Sequence, residues 1–316
     1  MTEPFSANNG RSPRSTCSGD RLPIVSVLIV CYRSEKDIRR CLTGLFEHCG
    51  HLPIEVLLID NFGDASEQIV REAFPRVQIV PSRGNIGFGP ANNELARFAS
   101  GRYLLLLNPD TQLFDDAITP LLDCAKARPH AAAWGGVTVL ENGSIDPSCM
   151  QERPSLRREL GLLFGVGWLK RRLSNREPDG LEEVPVLSGA FMLVGAERWR
   201  TAGGFDESFF LYSEEVDLCL RLTIEAGHPP VRTAFARITH LVGGSSTSRA
   251  RQVAVLKGKM HLFRKHRSWL STALLGGILY AYALSRSSAR YGEAVKRPGS
   301  WMYGYKPISP PESSSG

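Results

Sequence analysis

The 316-residue chain contains no C-x-x-C pair, and its seven cysteines, at positions 17, 31, 41, 49, 124, 149 and 219, are odd in number and scattered. This argues against a zinc site or a disulfide framework and suits the reduced thiols of a cytoplasmic protein. No glycine fingerprint follows the first apolar run, where the residues are Cys31-Tyr32-Arg33-Ser34-Glu35-Lys36-Asp37. The glycine-rich stretch Gly84–Gly89 has the wrong spacing and comes after the third strand, and there is no Walker loop. Nicotinamide and P-loop chemistry are therefore disfavoured. Residues 1–22 are rich in Ser, Asn, Arg and Gly and lack the apolar centre of a signal peptide, so they are expected to be a disordered tail. The apolar run Leu270–Leu284 spans 15 residues, short of the roughly 20 that a membrane-crossing helix requires. No internal repeat is present. The net charge of +6 is mild for this length. It gives no reason to expect nucleic acid as a partner and fits anionic ligands or an anionic membrane face.

What is present is an alternation of strand and helix. With 42% hydrophobic and 22% charged residues the chain can build a sizeable core. Val25–Cys31 is continuously apolar, as expected of a strand buried on both faces. Ser34 offers a helix cap with Asp37 three residues on, and Ile38, Cys41, Leu42, Leu45 and Phe46 then recur at helical spacing. Strands are expected at Val56–Ile59, Val77–Val80, Leu104–Leu107 and Ala131–Leu140, with helices over Ala65–Phe74 and Ala91–Ala99. This order predicts an α/β fold with a mainly parallel sheet and right-handed crossovers. Residues 142–185, with basic clusters at Arg157-Arg158 and Lys170-Arg171-Arg172, read as a long, partly helical excursion. Regular signal returns at Val186–Val194, Gly203-Gly204-Phe205 and an acidic helix start at Glu214. Basic residues Arg264, Lys265, Arg267, Arg286 and Arg290 flank the 270–284 run, which suits either an interfacial helix on an anionic membrane or a helix docked on the domain or on a second subunit. The proline-rich C terminus is expected to be disordered.

Several polar residues fall where strands end or helices begin. Tyr32 follows the first strand, Asp60 ends the second, and Asp110 ends a run of four leucines through Asn108-Pro109. In a parallel sheet these meet at one edge, where open α/β sheets bind ligands. Asp60 can accept hydrogen bonds from a ribose or a base. A lone carboxylate such as Asp110 holds Mg²⁺ only together with substrate phosphates, and His240 is a candidate second protein ligand. Glu214, Glu215 and Asp217 either complement a helix dipole or, clustered, supply a general base.

Together these residues resemble the inverting nucleotide-sugar glycosyltransferases of family 2, with the GT-A fold, over about residues 24–265. The resemblance rests on Val25–Tyr32, on Leu57–Asn61 (similar to a V-V-D-N segment), on Asn85–Asn93 (N-x-G-F-x-x-G-x-N), on Leu107–Asp110 (where many members have D-x-D), and on Ser188–Met192, Gly203–Asp206 and Glu214–Arg221. It implies a Rossmann-like sheet, mostly parallel, in a domain spanning 23–265, with a nucleotide-binding half (23–115) and an acceptor and catalytic half (116–265). Residues 266–316 would form a C-terminal apolar helix and polar tail. The roles implied are donor binding by Tyr32, Asp60, Asn85, Asn92 and Asn108, Mg²⁺ or Mn²⁺ binding by Asp110 with His240, and catalysis by Glu215 with Glu214 and Asp217 nearby. The chain departs from the family pattern at Asn108, which replaces the first acid of D-x-D, at Arg33, where Asn is common, and at Glu215, where Asp is usual. Asn-Pro-Asp resembles rhamnosyltransferase-like members. The expected partners are dTDP-rhamnose or, second, a UDP-sugar, a glycan or lipid-linked acceptor, and a membrane surface or a second copy, in an enzyme on the inner face of the plasma membrane. The rival reading is a relative that binds a nucleotide sugar or glycan without transferring it.

Overall fold

The computed structural model describes residues 22–146, 153–165, 177–241, 248–286 and 291–305. The N-terminal tail up to residue 21, the 170–172 basic cluster, Arg290 and the proline-rich C terminus lie outside the described residues.

Among the described residues nine strands form one sheet in the order β3-β2-β1-β4-β8-β6-β9-β5, with β7 on β9. The strands are β1 (Val25–Cys31), β2 (Ile54–Asp60), β3 (Gln78–Ile79), β4 (Tyr103–Leu107), β5 (Thr111–Gln112), β6 (Trp134–Val139), β7 (Leu181–Glu183), β8 (Phe191–Gly195) and β9 (Val231–His240). From β3 to β4 the pairing is parallel throughout, and Cys31 lies opposite Asp60 at the carboxyl ends. Beyond β4 the sheet is mixed. β8 runs antiparallel to both β4 and β6, β6 and β9 are parallel, and β5 and β7 are antiparallel to β9.

The apolar runs are explained by two-sided burial. Val25, Val27, Ile29 and Cys31 of β1, with Leu105 and Leu107 of β4, face a core completed by α1 (Ile38–Cys49) and α4 (Ile118–Ala127). Leu28 and Val30, with Leu104 and Leu106, face a second core completed by α3 (Phe88–Phe98) and α7 (Glu214–Ala226). Alternate residues of one strand point to opposite faces, so four consecutive leucines serve two cores. Helix α2 (Ser66–Ala73) flanks β2, and α6 (Ala196–Thr201) follows β8 directly.

Two helix starts differ from the sequence reading. Ser34 does not cap α1. Its hydroxyl accepts the Tyr32 N–H at 3.0 Å and its carbonyl accepts from Asp37 and Ile38, so it closes a turn and the helix begins at Ile38. Helix α3 begins at Phe88, three residues before Ala91, because Gly87 takes φ 96 and Pro90 is tolerated in a first turn.

A third core lies outside the sheet layers. Leu256, Met260 and Phe263 of α8 (Ser248–His266) meet Leu275 and Leu279 of α9 (Trp269–Ser285), Ala294 of α10 (Gly292–Lys296) and Trp301. Helix α5 (Leu156–Leu163), from the long excursion, packs on α9 and is pinned to α8 by an ion pair. Both carboxylate oxygens of buried Glu159 accept from Lys259 Nζ, at 2.9 and 2.8 Å. Removing one partner of such a pair strands a buried charge, whereas removing both does not. Lys259→Met is therefore expected to lower unfolding stability by about 3 kcal/mol, and adding Glu159→Leu to recover most of it. Urea titrations of the two variants measure both effects.

Candidate active site

The carboxyl edge of β1 and β2 carries the first cluster. Asp60, buried at the end of β2, turns the chain by accepting the N–H groups of Phe62 and Gly63 through Oδ1, at 2.9 and 3.0 Å. Its Oδ2 is buried with no hydrogen-bond partner among the described residues. A carboxylate oxygen left so is costly unless a ligand completes it. A cavity of about 570 Å³ reaches Asp60 along α2, walled also by Asp64 and Arg71, but takes in none of Asp110, His240, Glu214 or Glu215. Tyr32 meets Phe62 edge-on at 5.1 Å, and the Arg33 guanidinium sits 4.8 Å from the centre of the Phe62 ring. Arg33 itself has φ 56, which turns its side chain onto these rings. Phe62 and this use of Arg33 were missed by sequence reasoning. The available signal was an aromatic residue directly after an Asp-Asn turn.

The second cluster joins the glycine-rich loop to the start of α7. Asn61 Nδ2 donates to the Gly87 carbonyl at 2.9 Å, and Asn85 Oδ1 accepts the Gly87 N–H at 3.3 Å. A β-carbon on Gly87 would lie 2.5 Å from the Phe210 carbonyl oxygen, which accepts the Phe88 N–H at 3.3 Å. Of the two asparagines that follow, Asn92 is buried and donates within its own helix to Phe88 O. Asn93 reaches out instead. It donates to Phe205 O and accepts from Phe205 N, at 2.9 and 2.8 Å, clamping the Gly203–Asp206 loop. That loop turns on two positive-φ glycines.

Asp110 leaves β4 and leads straight into β5. Because β5 pairs with the end of β9, Thr111 lies opposite His240. The Asp110 carbonyl accepts the Leu241 N–H at 2.8 Å, and its Oδ1 lies 3.3 Å from His240 Nε2. The other ring nitrogen, Nδ1, is 2.7 Å from buried Asp146. Burial opposes charge on this imidazole, yet the two flanking carboxylates outweigh it and raise its pKa to about 9. Asp146 was not singled out in the sequence, since nothing local marks it. Among the described residues no group of three His, Cys, Asp or Glu side chains is arranged to hold a metal ion. A divalent ion would meet the Asp110 carboxylate and, once it displaces the proton from Nε2, the His240 imidazole. A carboxylate behind a ligating histidine is the usual means of orienting it, and Mg²⁺ or Mn²⁺ sites take their remaining oxygens from phosphates and water. Asn108 is fixed by its backbone: its N–H donates to Ala190 O at 3.1 Å, tying this segment to the Ser188–Ala190 turn. Gly189 of that turn leaves room for Phe88. The four candidate segments thus touch in series.

Helix α7 opens after Tyr212 and Ser213, both at positive φ (67 and 73). Each such residue costs on the order of 1–3 kcal/mol and needs support from its surroundings. Support comes from α8, where a β-carbon on Gly258 would lie 2.2 Å from the Tyr212 carbonyl oxygen. The Tyr305 hydroxyl also donates to the Leu211 carbonyl. Glu214 and Glu215 follow, both buried. Burial, then the charge of Glu215, push the Glu214 carboxyl well above its usual range, and its Oε2 lacks a hydrogen-bond partner among the described residues. Asp217 has different surroundings. It is fully buried, and its oxygens meet Arg221 Nε at 2.8 Å, His266 Nε2 at 2.7 Å and Lys265 Nζ at 2.8 Å. Burial raises its pKa, but the contacts with Lys265, Arg221 and His266 prevail and lower it. Asp217 therefore locks α7 to α8.

The geometry defines an α/β protein whose sheet edge carries Asp60, a carboxylate–histidine pair and, across the glycine-rich loop, a buried pair of glutamates. Comparison with known proteins gives its family and fold. Residues 26–185 match the family described as Glycosyl transferase family 2. The chain is 31% identical over 300 residues to the N-acetylglucosaminyl-diphospho-decaprenol L-rhamnosyltransferase of Mycobacterium tuberculosis, covering 86% of this chain and 95% of that one. It is 26% identical over 208 residues to the rhamnosyltransferase WbbL of Escherichia coli, 64% of this chain and 77% of that one. The fold resembles that of GalNAc-T7 crystallised with UDP, GalNAc and Mn²⁺ (TM-score 0.55, 16% identity, 89% of this chain and 55% of that longer one). It also resembles the mannosyltransferase PcManGT of Pyrobaculum calidifontis in complex with GDP-Man and Mn²⁺ (TM-score 0.54, 16% identity, 91% and 82%). The chain belongs to glycosyl transferase family 2, has the GT-A fold, and is a glycosyltransferase.

A carboxyl whose folded pKa is raised destabilises the native state once pH exceeds its unfolded value, because the unfolded chain loses the proton first. Native stability should therefore fall as pH rises from about 4.5 toward the higher folded pKa of Glu214. Glu214→Gln removes that loss. Its melting temperature relative to the parent should increase between pH 5 and 8, which calorimetry at several pH values measures.

Proposed function

We propose that this enzyme is a metal-dependent, inverting transferase that moves a hexose, first of all L-rhamnose from dTDP-rhamnose, to a hydroxyl of a glycan or lipid-linked acceptor in envelope polysaccharide synthesis. The rhamnosyl choice draws on the names of the two curated relatives, and a UDP-hexose is the second donor to test. The observation that carries the mechanism is the pairing of Asp110 with His240 at the sheet edge that also presents Asp60.

In this reading Asp60 receives a donor group of the base or ribose on its open Oδ2, and Tyr32 with Phe62 walls the base. Asn85 and Asn108 line the path of the nucleotide, and Asn92 braces it from within α3. Asp110 and His240 would hold Mg²⁺ or Mn²⁺, and a bound ion would supply positive charge to offset that of the leaving diphosphate. Asp146 keeps the His240 ring in place. Glu215 accepts the proton of the acceptor hydroxyl as that oxygen attacks the anomeric carbon opposite the diphosphate, and configuration inverts. Glu214, driven toward its neutral form by burial and by Glu215, adds no second full charge beside that base. Asp217 acts by position, fixing the helix that carries both.

The test is release of nucleoside diphosphate from dTDP-rhamnose and UDP-sugars with Mg²⁺ or Mn²⁺. Glu215→Gln should reduce turnover about 10²–10⁴-fold, the usual contribution of a general base, while dTDP binding by calorimetry stays within about twofold of the parent, as expected when an interaction made only in the transition state is lost. Asp110→Asn should weaken metal-dependent dTDP binding itself. If no donor is turned over but dTDP or a donor still binds, the protein is a binding relative and the transferase mechanism is wrong.

A further inference from the structure

The outward face of α9 has the wrong character for a helix facing water. Its inward residues Thr272, Leu275, Gly276, Leu279 and Ala283 are buried against the rest of the third core. Its outward residues are apolar too. Trp269, Leu270, Leu274 and Leu284 are 80%, 55%, 52% and 47% exposed, with exposed Ala273 and Gly277 between them. Positions 270, 274, 277 and 284 follow helical spacing, so they form one stripe, where a surface helix ordinarily places polar residues. Helix α5, packed beside α9, adds exposed Phe164 and Leu160. Contiguous apolar surface of this kind marks an interaction site.

The charge around the stripe identifies its occupant. No Asp or Glu occurs anywhere between Glu225 and Glu293. Exposed Arg264 and Arg267 precede α9, and exposed Arg286 ends it. No helix among the described residues is long and apolar enough to cross a membrane. A symmetric contact between two copies would bring this acid-free, basic margin against itself. We infer that α9, with α5 beside it, lies in the plane of an anionic phospholipid surface, inserting Trp269, Leu270 and Leu274 among the acyl chains while Arg264, Arg267 and Arg286 meet the headgroups.

This docking has a geometric consequence for the proposed transfer, and that part rests on the transferase reading. Trp269 follows His266 by three residues, at most about 10 Å of chain, and His266 touches Asp217 of α7 at 2.7 Å. The helix bearing Glu214 and Glu215 is thus held close to the lipid surface. An amphiphilic acceptor, with its hydroxyl near the headgroup layer, is the class that this placement serves.

The full chain should co-sediment with vesicles of phosphatidylglycerol and phosphatidylcholine, much less with phosphatidylcholine alone, and less as salt rises. Leu270→Asp with Leu274→Asp should abolish binding. Arg264→Gln with Arg267→Gln should weaken it about 25-fold, at roughly fivefold for each basic residue. Tryptophan emission should shift to the blue on adding anionic vesicles, and Trp269→Phe should remove that shift. Each variant is checked for a parental melting curve and for retained dTDP binding. The inference is overturned if the folded leucine variant still binds vesicles like the parent. It is equally overturned if the parent ignores vesicles and sedimentation velocity shows a dimer that the leucine substitutions dissociate. Vesicle binding without donor turnover would leave the docking face standing and remove only the transferase reading.

Discussion

The functional edge depends on one close approach between two stretches of main chain. The glycine-rich loop and the turn before α7 meet where Gly87 faces the Phe210 carbonyl, with no space for a side chain. Asn61 holds one end of this contact through Gly87 O, directly beside Asp60. At the other end Phe210 leads through Leu211 into the left-handed pair Tyr212–Ser213 and so to Glu214. Backbone groups have few degrees of freedom, and contacts between them transmit position more stiffly than contacts between long side chains. The edge that carries Asp60 and the glutamate pair are consequently set relative to each other by the packing of two turns.

Around this frame the same residue types take different characters from their surroundings. Glu214 and Asp217 lie three residues apart on one helix, both buried. Asp217 meets Arg221, Lys265 and His266 and is held as a carboxylate. Glu214 meets no cation among these contacts and is driven toward its neutral form by burial and by Glu215. Asp110 and Asp146 grip opposite nitrogens of a single imidazole. Environment assigns the roles, in the way that pairs of acids are separated in other active sites.

Much of this was legible in the sequence, and the reasons for the remainder are physical. The apolar runs of β1, β2 and β4 betray two-sided burial by themselves, and the order of motifs was enough to indicate the family. Strands β5 and β7 were not visible, because segments of two and three residues carry no period and exist only through pairing with distant β9. Ser34 looked like a cap but spends its hydroxyl on Tyr32, since the chain makes an extra turn before α1. Asn93, and not its neighbour Asn92, reaches a distant loop, and Asp146 lies ninety-four residues from the histidine it orients. Long-range pairing of this kind leaves no local mark. The acidic cluster at 214–217 likewise could not be divided into a buried glutamate pair and a neutralised anchor until α8 was in place.

The pairing of β5 with β9 also governs the order in which the molecule can be completed during synthesis. Asp110 emerges in the first half of the chain, but the strand that brings His240 to it ends about 130 residues later, counting from one numbered residue to the other. A nascent chain can assemble the parallel β3-β2-β1-β4 layer early, since those strands and their helices are consecutive. The carboxylate–histidine pair has to wait for β9, and the brace beneath the glutamates waits longer still, for α8 and Tyr305. The edge that carries Asp60 can therefore exist on the ribosome well before the carboxylate–histidine pair and the glutamates are in place.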